Sequence, residues 1–179
     1  MRYAKTVVIM AVGIGLYYLL GRFAAIPGPV PGTFLTMQFA VLAVLAALSG
    51  SAAGGLTGFL GQLLLDLSTG GILLSRVLPA GIYGILAGQL CGMLGIEKGE
   101  LSARDLLIFA GFQLAAHAAA WFLAAPCLDI FLYGKPPEEA FWHGLATGIT
   151  HMVTTVLTGT VLCLVVATVR QGNPPDDPL

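Results

Sequence analysis

The amino-acid sequence predicts an all-α integral membrane protein built as a bundle of six transmembrane helices. Of its 179 residues, 57% are apolar and only 9% are charged, whereas about 25% are charged in soluble domains. The mean hydropathy is +0.89. A soluble globule of this size would have too few ionic groups to cover its surface. The composition therefore excludes an ordinary cytosolic enzyme, a disordered chain and a nucleic-acid-binding protein.

The number of helices follows from the length of the chain. A membrane-spanning helix needs about 20 residues, so six use roughly 120 and leave about 60 for loops. The apolar runs lack the alternation that is typical of β-barrel strands. A single membrane domain is predicted over residues 1–170, followed by a flexible cytoplasmic tail at 171–179. The predicted helices cover about residues 6–23, 36–48, 53–67, 77–94, 103–124 and 140–169.

Three connecting segments are predicted to lie on the same side of the membrane. The segment from Ile26 to Gly32 holds three prolines and two glycines, which predicts a structured loop and not a continued helix. Residues 68–71 and 135–137 form the other two loops. With both termini cytoplasmic, five basic residues lie inside and three outside, so the positive-inside rule favours this orientation in the cell membrane.

Polar side chains at four-residue spacing mark one face of three predicted helices. Such groups are costly inside a membrane, so each face should point into the bundle. The third helix carries Gln62 and Asp66, the fifth carries Gln113, His117 and Trp121, and the sixth carries His143, Thr147 and His151. Their convergence under the outer loops predicts a pocket for a polar small molecule that enters from outside. The alternative is that these groups only form hydrogen bonds between helices.

Neither a metal site nor a catalytic centre is predicted. His143 and His151 are eight residues apart, about 12 Å along a helix, and no His-x-x-x-His or Cys-x-x-Cys is present. No cofactor is expected. The sequence lacks a phosphate-binding Gly-x-x-x-x-Gly-Lys-Ser/Thr motif, so any energy from ATP must come through another subunit.

Several segments, in order along the chain, resemble the substrate-binding (S) components of energy-coupling factor (ECF) transporters, closest to the branch that is riboflavin-type or uncharacterised. The resemblance covers nearly the whole chain. Its segments are Lys5 to Val8, Ile26 to Gly32, Gln38 to Val41, Gly58 to Gly61, Asp66, Asp105 to Gln113, Trp121, Ala125-Pro126, Asp129 and Gly144 to Gly148.

The resemblance implies a six-helix membrane subunit that binds a vitamin or related micronutrient from outside and performs no catalysis itself. Its implied partners are a transmembrane coupling (T) subunit and two ABC ATPases. In this family the first helix docks on the T subunit through small residues four positions apart, which Ala11 and Gly15 match by type. The outer loops of the family gate the pocket.

Four residues depart from the pattern of the riboflavin branch. Gln62 replaces a histidine, Arg76 stands in the segment where that branch has tryptophans, and His117 and His151 replace asparagines. An arginine at such a site favours a ligand with a carboxylate or phosphate. The residues predicted to bind substrate are Gln62, Asp66, Arg76, Gln113, His117, Trp121, His143, Thr147 and His151.

Two other functions are considered. A stand-alone membrane carrier or channel is the main alternative, although the sequence has no convincing internal repeat of the kind carriers often show. A small intramembrane enzyme would need a nucleophile or a metal constellation, and neither is found.

Overall fold

A computed structural model describes residues 2–28 and 30–172 of the chain. This part contains six helices of 12 residues or more, with a short hairpin between the first two. The helices are α1 (Arg2–Phe23), α2 (Gln38–Ser49), α3 (Ser51–Thr69), α4 (Leu74–Ala87), α5 (Ala103–Tyr133) and α6 (Pro137–Gly172). The hairpin pairs β1 (Ile26–Pro27) antiparallel with β2 (Phe34–Leu35). Two 3₁₀ turns, Gly88–Leu90 and Gly95–Lys98, connect α4 to α5. Most of the predicted tail, residues 173–179, lies outside the described residues.

The fifth helix is longer than the sequence predicts. The prediction ends it near residue 124 because Pro126 follows, but α5 continues to Tyr133. Its middle section, Ala118–Ala124, is a π-helix, which separates two α-helical sections, Ala103–His117 and Ala125–Tyr133. In a π-helix each N–H bonds to the carbonyl five residues earlier instead of four. This change of register accommodates Pro126, which has no N–H, in the first turn after the π segment. The start of α5 is fixed by a capping box, in which Ser102 and Asp105 bond to each other's backbone N–H.

The short helix α2 lies at the centre of the bundle. Eight of its residues are buried, and the ring of Phe39 packs edge-on against Tyr17 at 5.5 Å and Tyr83 at 5.4 Å. Beside it, α3 and α4 approach each other closely at Gly54 and Gly84. A Cβ atom on either glycine would collide with the backbone of the other. Small residues at a helix crossing permit this separation, as is common between membrane helices.

Consecutive helices run in alternating directions, which places all the predicted outer loops at one end of the bundle. The hairpin, the α3–α4 loop and the α5–α6 loop lie there around a common cavity. At the opposite end, the Gln171 side chain donates a hydrogen bond to the Gly99 carbonyl. The first described residue of α1 and the last of α6 therefore lie at the end that is remote from the cavity.

The surface of the bundle is strongly apolar. Three helical segments, Thr6–Phe23, Ala103–Tyr133 and Pro137–Gly172, are long and apolar enough to cross a membrane by length and composition, and Gln38–Ser49 is apolar but shorter. On α3, the exposed residues Leu56, Leu60, Leu64 and Leu67 form one face, while Gln62 and Asp66 are buried. An apolar exterior around buried polar groups is the arrangement expected of an α-helical membrane protein.

Candidate functional site

A cavity of about 540 Å³ opens at the end of the bundle where the loops meet. Its volume is within the usual range for small-molecule sites, about 300–1,000 Å³. The C-terminal ends of α1, α3 and α5 and the N-terminal ends of α2, α4 and α6 all contribute to its wall. From the hairpin, Gly32, Thr33 and Phe34 line the cavity, with Gly32 close to the imidazole of His143. The loop that the prolines predict is therefore part of the site.

Seven of the nine predicted binding residues line this cavity. They come from α3, α4, α5 and α6, and they are Gln62, Asp66, Arg76, Trp121, His143, Thr147 and His151. The other two, Gln113 and His117, do not line it. His117 lies one turn, and Gln113 two turns, farther toward the N-terminal end of α5 than Trp121. The four-residue spacing therefore continues past the cavity into the core.

Those two deeper residues belong to an interior cluster beneath the cavity. The Tyr83 hydroxyl donates to Gln113 Oε1 at 2.5 Å, and the His117 ring stacks on Tyr83 with centroids 4.3 Å apart. His151 lies 6.3 Å from His117, ring to ring, and it lines the cavity. His151 is therefore the residue at which the interior cluster reaches the cavity wall.

Asp66 organises the α3 side of the cavity. The side chain is 1% exposed, and Oδ1 accepts a hydrogen bond from Gln62 Nε2 at 2.8 Å. The backbone N–H of Leu73 donates to Oδ2 at 2.9 Å, and the guanidinium of Arg76 lies 3.7 Å from Oδ1. The carboxylate thus holds α3, the following loop and the first turn of α4 in one arrangement.

A second ion pair closes the wall on the α5 side. Lys135 Nζ lies 2.9 Å from Asp129 Oδ2. Both residues line the cavity, and neither was among the predicted binding residues. Asp129 Oδ1 is buried and has no hydrogen-bond partner among the residues that the structure describes. A lone aspartate in an apolar stretch is the sequence signal that identifies this position.

Trp121 and His151 form an aromatic part of the wall, and behind them lies the buried ring of Phe39. The ring of His151 lies 4.5 Å from Phe39 and 5.0 Å from Trp121, centroid to centroid. Trp121 Nε1, His151 Nδ1 and the hydroxyl of Thr147 are buried, and within the described ranges they have no hydrogen-bond partner. Unsatisfied buried polar atoms cost about 1–3 kcal/mol each, so hydrogen bonds to a molecule in the cavity would stabilise this wall.

Other lining residues were missed because they lie on elements without a polar stripe. Gln38, at the start of α2, is the clearest of them, since it is the only polar side chain in the apolar run of residues 37–48. Arg22, the last basic residue of α1, also lines the cavity. Among the side chains that the structure describes, no carboxylate forms an ion pair with it. The C-terminal end of α1 therefore contributes to the wall of the cavity.

The small residues of α1 divide between two faces. A Cβ on Gly13 would meet Leu45 and Thr57, so this glycine packs inside the bundle. Ala11 is exposed, and Gly15 has no atom within 4 Å of its Cβ position. Neither Ala11 nor Gly15 lines the cavity.

Metal binding has no support from the positions of the described side chains. Among these residues, no group of three or more His, Cys, Asp or Glu is placed to hold a metal ion. The cavity instead offers aromatic surface, hydrogen-bonding groups and two ion pairs, which suits an organic molecule.

The sequence matches known proteins over nearly its full length. Residues 2–168 match the family described as ECF-type riboflavin transporter, S component. A UPF0397 protein of Clostridium perfringens (strain ATCC 13124) is 36% identical over 159 residues, which cover 88% of this chain and 86% of the relative. A UPF0397 protein of Enterococcus faecalis (strain V583) is 33% identical over 167 residues, covering 93% and 91%.

A third relative extends the match further along the chain. A UPF0397 protein of Staphylococcus aureus (strain MRSA252) is 32% identical over 172 residues, covering 94% of both proteins. The family is one of transporter components and not of enzymes, and its members are α-helical membrane proteins, as the fold of this chain indicates. The chain belongs to the family of S components of ECF-type riboflavin transporters.

Proposed function

We propose that the protein is the high-affinity, membrane-embedded substrate-binding subunit of an ECF-type ABC importer. Its substrate is a vitamin or a related water-soluble micronutrient, and riboflavin is the first compound to test because of the family's description. The observation that carries the proposal is the cavity of about 540 Å³ under the hairpin. Six of its lining residues contain a buried polar atom without a hydrogen-bond partner in the described structure.

The chemistry of these atoms describes the substrate. Trp121 Nε1 only donates, whereas Asp129 Oδ1 and Gln38 Oε1 only accept, so the substrate must offer both donors and acceptors. The wall also holds three basic side chains, Arg22, Arg76 and Lys135, against the two acidic ones, Asp66 and Asp129. This balance favours a substrate that carries a carboxylate or phosphate near the loops, with a flat ring against Trp121 and His151.

All six helices are proposed to cross the membrane, with the cavity outside. α3 and α4 are less apolar or shorter than a usual span, but exposed leucines and isoleucines cover their outer faces. Among them are Leu60 on α3 and Ile82 on α4. A soluble protein would have polar residues on these faces, whereas apolar residues are favourable there in contact with lipid. The larger number of basic residues toward the remote end supports an orientation with that end, and both termini, in the cytoplasm.

The orientation is tested by cysteine labelling in intact cells, in a background without Cys91, Cys127 and Cys163. A membrane-impermeant maleimide is expected to label Ser68→Cys and Glu138→Cys, which lie at the cavity end. Lys98→Cys, at the remote end, is expected to react only after the cells are permeabilised. Labelling of Lys98→Cys in intact cells, with Ser68→Cys protected, contradicts the orientation.

Occupation of the cavity is tested by titrating the detergent-purified protein with riboflavin. Trp121 reports binding by fluorescence once Trp142, which is exposed on α6, is replaced by phenylalanine. We expect His151→Ala to weaken binding roughly 5- to 150-fold, because a hydrogen bond to a buried ligand contributes about 1–3 kcal/mol.

Thr154→Ala is the matched control for His151→Ala. Thr154 is on the same helix, but its hydroxyl bonds only to the helix carbonyls of Thr150 and His151, and it does not line the cavity. The control is expected to bind riboflavin like the parent. If folded His151→Ala also binds like the parent, the riboflavin site is not in this cavity.

The proposed partners are a T subunit and two ABC ATPases. The chain has no phosphate-binding loop motif of its own, so energy must reach it through contact with other subunits. The proposed docking surface is the exposed face of α1 that carries Ala11 and Gly15. Small residues four apart let a partner helix approach closely, and the open space at Gly15 leaves room for it.

Docking is tested by adding bulk at that face. Gly15→Trp is expected to abolish co-purification with the T subunit and riboflavin uptake in cells, because a large side chain holds the partner helix away. Riboflavin binding by the purified variant is expected to stay within about twofold of the parent, since Gly15 is remote from the cavity. Leu157→Trp, on the exposed face of α6, is the control and should assemble normally. If Gly15→Trp loses both riboflavin binding and assembly with the T subunit, this face packs inside the fold and is not a docking surface.

A further inference from the structure

A chain of four hydrogen-bonded side chains connects α3, α1 and α2 beside the cavity. It runs from Asp66 through Gln62 and Tyr17 to Gln38, and we refer to it as the hydrogen-bond chain. Asp66, Gln62 and Gln38 line the cavity. Tyr17 does not line it, and its side chain is completely buried in the core.

The direction of each hydrogen bond is set by Asp66. A carboxylate only accepts, so Gln62 must turn its amide nitrogen toward Asp66 Oδ1, at 2.8 Å. The amide oxygen of Gln62 then faces the other way, and it accepts the hydroxyl proton of Tyr17 at 2.8 Å. Tyr17 has a single proton to donate, and this contact uses it.

The orientation of the Gln38 amide follows from the same argument. Because the Tyr17 oxygen can now only accept, Gln38 must turn its amide nitrogen toward it, at 3.1 Å. Gln38 Nε2 also lies 3.4 Å from Gln62 Oε1. The carbonyl oxygen of Gln38 therefore points away from the hydrogen-bond chain. It is buried without a partner in the described part of the protein and lies against Gly21, which also lines the cavity.

We propose that Tyr17 is a positioning residue for substrate specificity, because it fixes Gln38 as a hydrogen-bond acceptor in the cavity wall. The substrate then donates an N–H or O–H to Gln38 at this wall. This inference rests on the proposed function, since it takes the cavity as the substrate site. It adds a role for a residue of α1 that does not touch the substrate and that no polar stripe in the sequence identifies.

The glycines around Tyr17 are consistent with this role. A Cβ at Gly61 would meet the ring of Tyr17 at 2.8 Å, so the ring lies directly on the backbone of α3 next to Gln62. A Cβ at Gly21 would collide with the Gln38 carbonyl oxygen. Tyr17 and Gln38 are thus both held at positions from which a larger side chain at Gly61 or Gly21 would displace them.

The orientation of the amides is tested without any ligand. In protein labelled with ¹⁵N-glutamine, the five side-chain amides give separate NMR signals, and Tyr17→Phe removes only the hydroxyl. We expect the Gln38 and Gln62 amide signals to shift and their hydrogen exchange to become faster. Tyr18→Phe, at the neighbouring half-buried position of α1, should leave both unchanged. Unchanged Gln38 and Gln62 signals in Tyr17→Phe would overturn the inference.

The consequence for specificity is tested with riboflavin as the probe. Tyr17→Phe is expected to bind riboflavin about 5-fold more weakly, the loss expected from one neutral hydrogen bond. In a Gln38→Met background, which has no carbonyl to orient, Tyr17→Phe should cause no further loss. Equal losses in both backgrounds would show that Tyr17 acts independently of Gln38 and would overturn the proposal.

These outcomes separate the inference from the proposed function. If the parent protein fails to bind riboflavin, the failure counts against riboflavin as the substrate in the proposed function. The amide signals of Tyr17→Phe then still decide whether Tyr17 orients Gln38. If riboflavin binds and Tyr17→Phe alters neither the amide signals nor the affinity, only the inference about Tyr17 fails.

Discussion

The rest of the structure depends on one constraint, which is that polar side chains inside a membrane bundle must find partners. Lipid offers no hydrogen bonds, so a buried amide, imidazole or carboxylate is paired with another side chain or with a bound molecule. In this protein some groups are paired fully, as Asp66 is by Gln62, Leu73 and Arg76. Other residues have a buried polar atom without a partner in the described structure. Six of them line the cavity, and Gln113, His117 and Thr155 lie in the interior outside it. The fully paired groups form the framework of the site, and the six unpaired lining groups are the ones proposed to meet a substrate.

The helix packing explains why the cavity lies at one end only. The remote part of the bundle is held together by glycine contacts between α3 and α4. Directly beneath the cavity, Phe39 packs against Tyr17 and Tyr83. Toward the other end, α2 begins only at Gln38, and the preceding segment folds into the hairpin. The ends of the neighbouring helices therefore border a space beside the start of α2. The hairpin covers this space at the end of the bundle where the loops meet.

Much of this arrangement was predictable from the sequence. The scarcity of charge indicates a membrane protein, and the four-residue spacing on α3, α5 and α6 brings seven of nine predicted residues to the cavity. The same spacing places Gln113 and His117 below it, because periodicity fixes the face of a helix but not the depth. The continuation of α5 past Pro126 was missed, since a π segment depends on hydrogen-bond register and has no simple sequence signal.

The contributions of Tyr17, Gln38 and Arg22 were not predictable from helical periodicity. None of them belongs to a polar stripe with four-residue spacing, since Tyr17 and Arg22 are five apart on α1 and Gln38 is isolated at the start of α2. Only the packing of α1 and α2 against α3 shows that Tyr17 and Gln38 meet Gln62 and that Arg22 reaches the cavity. Their roles depend on contacts between residues 21 to 45 positions apart.

Native mass spectrometry of the protein purified from cells is the most direct test of the central claim, that the cavity holds a small-molecule substrate. We predict that the parent retains one small molecule per chain, and that Thr147→Trp, which fills the cavity from α6, carries none while remaining folded. Equal retention of that molecule by the parent and by folded Thr147→Trp would contradict the assignment of this cavity as the substrate site.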